Sequence, residues 1–247
     1  MPGALKLEAV VLRSLRYGEA DRILHLLTPA RGRVAAIAKG VRRARSRFGG
    51  RLETFTRTNL VLYEPARARS DLLTVTSADT VQPHRRLRED ARALDAAARA
   101  CDATARLIDS ADPQPAAFHL LCSELALLDA GVDGDRDHAT HANQLAFRLK
   151  LLLAAGLAPQ LAACASCGER EHLTGFSGAA GGVVCGACEA SAFPLDPEAH
   201  AFLAGALGHP LAQGPVADAP HLRQAERAIA AMAEHHAGVR LRSASPR

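Results

Sequence analysis

Tryptophan is absent from the sequence, and only two tyrosines and seven phenylalanines are present, so aromatic residues make up 4% of the 247 positions. The apolar fraction of 48% therefore comes mainly from aliphatic residues, among which alanine and leucine predominate. Cores made of such small side chains are typical of closely packed helices. At this length we expect two or three domains, with helix as the dominant secondary structure.

Long apolar runs and enzyme motifs are also missing. No apolar stretch of about 18 residues is present, and residues 1–16 lack the continuous apolar core and cleavage site of a signal peptide. The chain contains no G-x-x-x-x-G-K-[ST] phosphate loop, no G-x-G-x-x-G before a helix and no G-x-S-x-G. We therefore expect a cytoplasmic protein that contacts no membrane and has no catalytic residues.

Positive charge is concentrated in the first third of the chain. Residues 1–80 contain 15 Lys/Arg and 7 Asp/Glu, whereas the other 167 residues contain 15 Lys/Arg and 19 Asp/Glu. Such a contrast in net charge between two parts of a chain usually marks an interaction surface. The pattern predicts a polyanionic partner for the N-terminal part.

Eight cations and no acid lie in residues 31–51, which we call the basic segment. Arginine predominates there, and its planar guanidinium group binds phosphate oxygens in pairs. A charge run can also be plain solvated surface, and the nearby aromatic residues can either stack on bases or fill the ends of a barrel. The predicted contacts with nucleic acid are Tyr17, Phe48, Arg31, Arg33, Lys39, Arg42, Arg43, Arg45, Arg47 and Arg51.

Alternating or β-rich segments fill the first 80 residues, at 5–13, 21–28, 31–39, 52–64 and 72–77. Five strands in a segment of this size are typical of a small closed barrel. The OB-fold is the five-stranded barrel that commonly binds nucleic acid, and an SH3-like barrel is the alternative. We predict an OB-fold domain over residues 1–80.

From residue 87 the apolar period becomes helical. A first helix has its predicted core stripe at Leu87, Ala91, Leu94, Ala98, Cys101, Ala105 and Ile108. Further helices are predicted at 116–129, with Cys122 in its core face, and at 141–155, before Gly156. We expect a helical domain made of residues 81–160 and 192–240, in which Cys101 and Cys122 are buried apolar side chains.

The remaining four cysteines form two C-x-x-C pairs that are separated by 17 residues, a spacing typical of a four-cysteine zinc site. Four thiolates complete the coordination of zinc, so the ion would be structural and not hydrolytic. Cys164, Cys167, Cys185 and Cys188 are therefore predicted to bind one structural Zn²⁺ in an insertion over residues 161–191. A redox switch and four cysteines without metal remain the alternatives.

These parts together resemble the RecO family of bacterial recombination mediators. Residues 13–21 (RSLRYGEAD) are similar to the opening motif of that family, and residues 39–43 (KGVRR) with Ser46 are similar to its basic segment. Residues 149–157, followed by Cys164, resemble its last helix before the zinc knuckle, and the likeness covers nearly the whole chain. The expected class is thus α+β and multidomain, with an OB-fold barrel followed by a helical domain that carries a zinc knuckle.

The resemblance implies a role in DNA repair. It implies binding of single- and double-stranded DNA, annealing of complementary strands, and work with RecR to help RecA displace single-strand-binding protein in the nucleoid. Some members of the family lack the cysteines, which implies that the zinc ion stabilises the structure and has no part in the mechanism. Two alternatives share the same residues: an RNA-binding factor, which has the same electrostatic features, and a redox-regulated holdase or interaction module.

Overall fold

The computed structural model describes residues 3–64, 72–188 and 192–244. Its N-terminal part is a closed barrel of five strands in the order β1-β2-β3-β5-β4, in which β1 also pairs with β4. β3 and β5 are parallel, and the other neighbours are antiparallel. This order favours the OB-fold over the SH3-like barrel. The strands are β1 (Ala4–Tyr17), β2 (Asp21–Thr28), β3 (Gly32–Ala38), β4 (Arg57–Tyr63) and β5 (Leu73–Gln82).

The fourth strand begins later than predicted. The prediction started it at residue 52, but Gly49–Leu52 form a 3₁₀ turn and β4 begins at Arg57. Phe55 adopts a left-handed conformation (φ 72°), which interrupts an extended chain. Its N–H donates to the carbonyl of Val11, and its ring points away from the barrel interior into the helical core.

In the described part of the chain, five α-helices follow the barrel. Their bounds are α1 (Ala91–Leu107), α2 (Pro115–Gly131), α3 (His141–Ala154), α4 (Pro197–Gly208) and α5 (Ala219–Met232). The carboxylate of Asp90 and the hydroxyl of Thr140 cap α1 and α3 by accepting from backbone N–H groups of the first turn. The second and third predicted helices are confirmed. No helix among the described residues is long and apolar enough to cross a membrane.

The predicted core stripe of α1 is partly wrong. Leu94 is 38% exposed, whereas Ala93, Ala96, Ala97 and Ala100 are buried. The stripe was phased from Leu87, which is buried but lies in a separate 3₁₀ turn before the helix. A helix surface made of alanine allows α1 to pack closely against its neighbours.

The barrel and the helices share one contact zone, which we call the seam. Val10, Leu12, Leu27 and Phe55 of the barrel belong to the same buried cluster as the helical core. The β2–β3 turn also pairs with the α1–α2 loop: the N–H of Arg33 donates to Ser110 O (3.0 Å), and that of Gln114 to Pro29 O (2.9 Å). Gly32 at this turn has φ 49°, and a Cβ there would overlap backbone oxygens of Ser110 and Asp112. Close approach of the two backbones therefore requires glycine.

Between α3 and α4 the chain forms a small sheet of β6 (Leu173–Ser177), β7 (Gly182–Cys185) and β8 (Phe193–Pro194), in the order β7-β6-β8. Phe176 and Val183 from this sheet are fully buried in the helical core. The small sheet is therefore packed against the helices and is not a free appendage.

Candidate nucleic-acid interface and metal centre

The basic segment exposes six cations in the connection that leaves β3. Among the described residues, no carboxylate forms an ion pair with any of these six side chains. Cations that no carboxylate neutralises leave a positively charged surface, which attracts a polyanion. The six are Lys39, Arg42, Arg43, Arg45, Arg47 and Arg51.

Hydrogen bonds tie this part of the basic segment to the β1–β2 turn. The N–H of Gly40 donates to Asp21 Oδ1 (2.7 Å), and the N–H of Arg42 donates to Ala20 O (2.9 Å). The guanidinium of Arg42 also donates to Glu19 O (3.0 Å). The basic segment and Tyr17, which ends β1, are consequently held at the same end of the barrel. Tyr17 is 54% exposed, in keeping with its predicted role.

Two of the predicted contact residues have partners of their own. Arg33 Nη1 donates to Ala105 O of α1 (2.6 Å), so this side chain lies in the seam and joins the barrel to the helices. Arg31 lies 3.9 Å from the carboxylate of Glu64 and is partly exposed. The position of Arg33 does not support its predicted contact with nucleic acid, whereas Arg31 remains accessible.

The prediction that Phe48 stacks on bases is wrong. Its side chain is 2% exposed and belongs to the buried cluster inside the barrel, together with Leu52, Leu60 and Leu62. The ring fills the barrel end, which was the alternative interpretation. The guanidinium carbon of Arg47 lies 4.9 Å from the centre of this ring, so the ring supports a cation instead of meeting a base.

A row of side chains on the outer barrel surface was not predicted. Directly paired residues of neighbouring strands share one face of a sheet. Four such pairs run across all five strands, and the row, which we call the apolar band, consists of Leu15, Ile23, Ile37, Thr74 and Tyr63. Tyr63 is 43% exposed and the other four are partly buried. The band therefore offers an aromatic ring and aliphatic surface beside the basic segment.

Cations flank the apolar band. Arg13 pairs with His25 one row away from it, and Arg16 is also exposed. Burial lowers the pKa of the His25 imidazole, and the nearby Arg33 and Arg13 lower it further. The alternation of Leu60 and Leu62 could have indicated that Tyr63 points outwards. Its place beside β1–β3 depends on the β3–β5 pairing, for which the sequence carries no local signal.

The four predicted zinc ligands lie together. Their sulfurs are all within 4.8 Å of one another, and Cys167 Sγ is 3.7 Å from Cys185 Sγ. A tetrahedral zinc with bonds of ~2.3 Å separates its sulfurs by about 3.8 Å. Tight turns present each pair: Gly168 N donates to Cys164 O (2.8 Å), and Cys188 N donates to Cys185 O (2.9 Å). The donor set and its spacing fit a metal ion held by four sulfurs.

The electrostatics of this cluster also fit a cation. Backbone hydrogen bonds, led by the one from Cys185, lower the pKa of the Cys164 thiol to about 6. The neighbouring sulfurs, with Cys167 first, raise the pKa of Cys188 to about 12. One thiolate thus opposes ionisation of the others, and a bound divalent cation would remove this opposition.

Cys101 and Cys122 are buried in the helical core, as predicted. Burial raises the pKa of both thiols, that of Cys122 to about 11. Neither thiol belongs to the four-sulfur cluster, which was the only group of three or more metal-binding side chains found among the described residues.

Comparison with known proteins matches both parts of the chain to one family. Residues 1–84 match the family described as "Recombination protein O N terminal", and residues 88–245 match "Recombination protein O C terminal". A protein named "DNA repair protein RecO" from Anaeromyxobacter dehalogenans (strain 2CP-C) is 38% identical, over 96% of this chain and 93% of its own. Proteins of the same name from Rubrobacter xylanophilus and Nocardioides sp. are also 38% identical, over 92% and 93% of this chain and 88% and 93% of theirs.

Proposed function

This chain belongs to the RecO family of DNA repair and recombination proteins, and on that premise we propose that its barrel binds single- and double-stranded DNA. The observation that carries the proposal is the set of six exposed cations that no described carboxylate neutralises. Phosphates would lie on these cations, while Tyr17, Tyr63 and the apolar band would meet bases. Arg31 would extend the phosphate path along the β2–β3 turn.

We propose that the bound protein acts as a mediator and not as an enzyme. A surface that neutralises phosphates brings two strands together, and the exposed rings beside it can hold single-stranded bases unstacked. The protein would therefore anneal complementary strands and, with RecR, help RecA to replace single-strand-binding protein. Because the proposed ligand is bacterial DNA, we propose that the protein acts in the cytoplasm, at the nucleoid.

The four-cysteine cluster is proposed to hold one structural Zn²⁺. Four sulfur ligands leave no open position for substrate, and zinc would supply folding free energy. Cys164, Cys167, Cys185 and Cys188 would hold the ion between the two turns described above. We propose to divide the chain into a barrel (1–80), helices (81–160 and 192–240) and a cysteine insertion (161–191).

The test is annealing of complementary DNA strands by the purified full chain without ATP, first bare and then coated with single-strand-binding protein. We expect annealing in both cases, because ordinary basic proteins anneal only bare strands by charge neutralisation. Strict dependence on ATP, or no annealing of coated strands, would contradict the proposal. Competition between DNA and RNA of equal length separates it from an RNA-binding factor, which would prefer RNA. A redox-regulated holdase would instead show no salt-dependent DNA binding and would respond to thiol oxidation.

A further inference from the structure

The N-terminal ends of α4 and α5 enclose a groove of about 540 Å³, which we call the α4–α5 groove. Phe202 and Val216 supply apolar surface, and Glu198, Asp218 and His221 supply polar groups. Among the described residues, no lysine or arginine lines it. It thus differs in charge from the barrel surface assigned to DNA.

The groove is a built feature, because hydrogen bonds join the two helix ends. The N–H of Asp196 donates to Gln224 Oε1 (2.8 Å), and Gln224 Nε2 donates to Asp196 Oδ2 (2.6 Å). His221 Nε2 lies 3.9 Å from carboxylate oxygens of both Asp196 and Glu198. Phe202 is 2% exposed and forms part of the helical core beneath the groove. The walls are therefore held in place before any partner arrives.

One wall presents an apolar side chain to water. Val216 is 82% exposed, the largest value among the exposed large apolar residues of the described chain. It lies in the segment between α4 and α5, where Pro215 faces Gly205 of α4. A single exposed apolar residue is common on protein surfaces and does not by itself indicate a partner, but Val216 adds an aliphatic contact at the rim of a polar groove.

The charges of the groove favour a cationic partner. Glu198 and Asp218 both line it, and the side chain of Glu198 is 65% exposed. The two helix N-termini contribute roughly half a positive charge each, which the carboxylates of Asp196, Glu198 and Asp218 outweigh. DNA is excluded as the occupant, because its phosphates would be repelled.

We propose that the α4–α5 groove binds a segment of a partner protein that presents an arginine or a lysine between aliphatic residues. The charged end of that side chain would lie between Glu198 and Asp218, and its methylene stem would cover apolar surface. The neighbouring aliphatic residue would cover Val216. This inference does not depend on DNA binding by the barrel.

The test uses the full chain and two dye-labelled peptides, one with a single arginine between two leucines and one with glutamate in place of that arginine. Fluorescence anisotropy should detect binding of the arginine peptide alone. Its affinity should fall at least about fivefold in the Glu198→Gln/Asp218→Asn double variant, a loss of about 1 kcal/mol. Val216→Ser, which keeps every charge, should also weaken binding.

The matched control is Asp109→Asn/Asp135→Asn, which removes two exposed carboxylates elsewhere and should leave peptide affinity unchanged. Annealing activity should also be unchanged in the groove variants. Equal binding of both peptides, no binding of the arginine peptide, or equal losses in the groove and control variants would overturn the proposal. It would also be overturned if the wild type self-associates with rising concentration and the groove variant does not, because the occupant would then be a second copy.

Discussion

Single aromatic residues have different roles on the two sides of the barrel wall. Tyr63 is exposed on the apolar band, so Tyr63→Ala should weaken single-stranded DNA binding by ~1–3 kcal/mol if a base stacks there. Fluorescence titration at constant salt measures this. Val81, 44% exposed on β5, is the matched control, and its replacement by alanine should have no effect. If Tyr63→Ala and Val81→Ala bind equally well, bases do not stack on the band.

Phe48 should behave in the opposite way, because its ring is buried in the barrel. Phe48→Ala should lower the free energy of unfolding by ~3–5 kcal/mol. DNA affinity per folded molecule should change little. Denaturant unfolding, followed by titration of the folded fraction, separates the two effects. If Phe48→Ala loses affinity for DNA but keeps its free energy of unfolding, Phe48 contacts DNA after all.

A buried carboxyl makes stability depend on pH. Glu124 is completely buried, and burial raises its pKa to about 8, although hydrogen bonds from Asn143 and Gln144 oppose the shift. Since the pKa is higher in the folded than in the unfolded state, the stabilising contribution is present at low pH and is lost as pH rises towards about 8. Glu124→Gln should flatten this dependence, because an amide does not titrate, and its oxygen can still accept the hydrogen bond from Gln144 Nε2. Unfolding free energies measured between pH 5 and 9 test it, and an unchanged pH dependence in Glu124→Gln would contradict it.

The residue patterns in the sequence predicted which face of a strand or helix is buried. They predicted less well which strands become neighbours. The helical period correctly placed Cys101 and Cys122 in the core, and Leu60 and Leu62, which alternate along β4, lie inside the barrel. Phe48 was misassigned because it lies in an irregular segment, where no period indicates which way a side chain points. Tyr63 was missed because its position in the apolar band depends on which strands become neighbours.

Among the elements, the basic segment should control the salt dependence of DNA binding. If about four of its cations contact phosphate, counterion release contributes roughly 0.7 per contact to the slope of log K against log salt for single strands, about three units in all. Replacing Arg42, Arg43, Arg45 and Arg47 by alanine should remove most of this slope and weaken binding to all sequences alike. Titrations at several salt concentrations measure it.

The control for this variant replaces four exposed arginines of the helical part, which should leave the slope almost unchanged: Arg92, Arg106, Arg223 and Arg240. Thermal unfolding should show that both variants are folded. A basic-segment variant that loses affinity but keeps its slope would mean that these residues act through the stability of the barrel. If the basic-segment variant keeps its affinity for DNA, the DNA-binding site lies elsewhere on the protein.

The cysteine turns should bind about one zinc ion per chain, because four sulfurs at tetrahedral spacing complete its coordination. Chelation or Cys167→Ser should lower stability more than DNA affinity per folded molecule. Metal analysis of freshly reduced protein checks the content. Cys101→Ala and Cys122→Ala are the controls and should retain zinc, since both residues lie in the helical core. Absence of zinc from reduced wild-type protein would contradict the assignment.

This element was predictable from sequence because metal-ligand spacing is local. Two C-x-x-C pairs specify their own turns, and the four predicted residues are the ones that meet. The α1–α2 loop was not predictable as a docking element, since nothing in residues 110–114 indicates that a β-turn packs on it. Only the backbone contacts at Gly32 in the structure show that the β2–β3 turn packs on this loop.

At the scale of the whole molecule, the seam should make the barrel and the helices unfold together. Gly32→Ala introduces a Cβ that overlaps backbone oxygens of Ser110 and Asp112, so it should weaken the seam. Gly18→Ala is the matched control: its φ of 54° resembles the 49° of Gly32, but no atom lies within 4 Å of its Cβ. In both variants, alanine in a left-handed backbone conformation should lower the free energy of unfolding by ~1–2 kcal/mol. Only Gly32→Ala should lose further stability, from the overlap at the seam.

Hydrogen exchange at the amides of Arg33 and Gln114 reports on the seam directly, because both donate across it. Exchange should accelerate in Gly32→Ala and stay slow in Gly18→Ala. If the two variants exchange alike, the β2–β3 turn does not couple the two parts of the molecule.

The seam also means that the barrel, which we propose to bind DNA, is not a separable module. Cut free after β5, it would expose Val10, Leu12, Leu27 and Phe55 to water at a cost of ~1.5–3 kcal/mol for each buried side chain. A gene fragment that encodes the barrel alone should therefore yield an aggregation-prone product. For the same reason, recombination during evolution would have difficulty in moving this barrel to another protein without the helices that cover its wall.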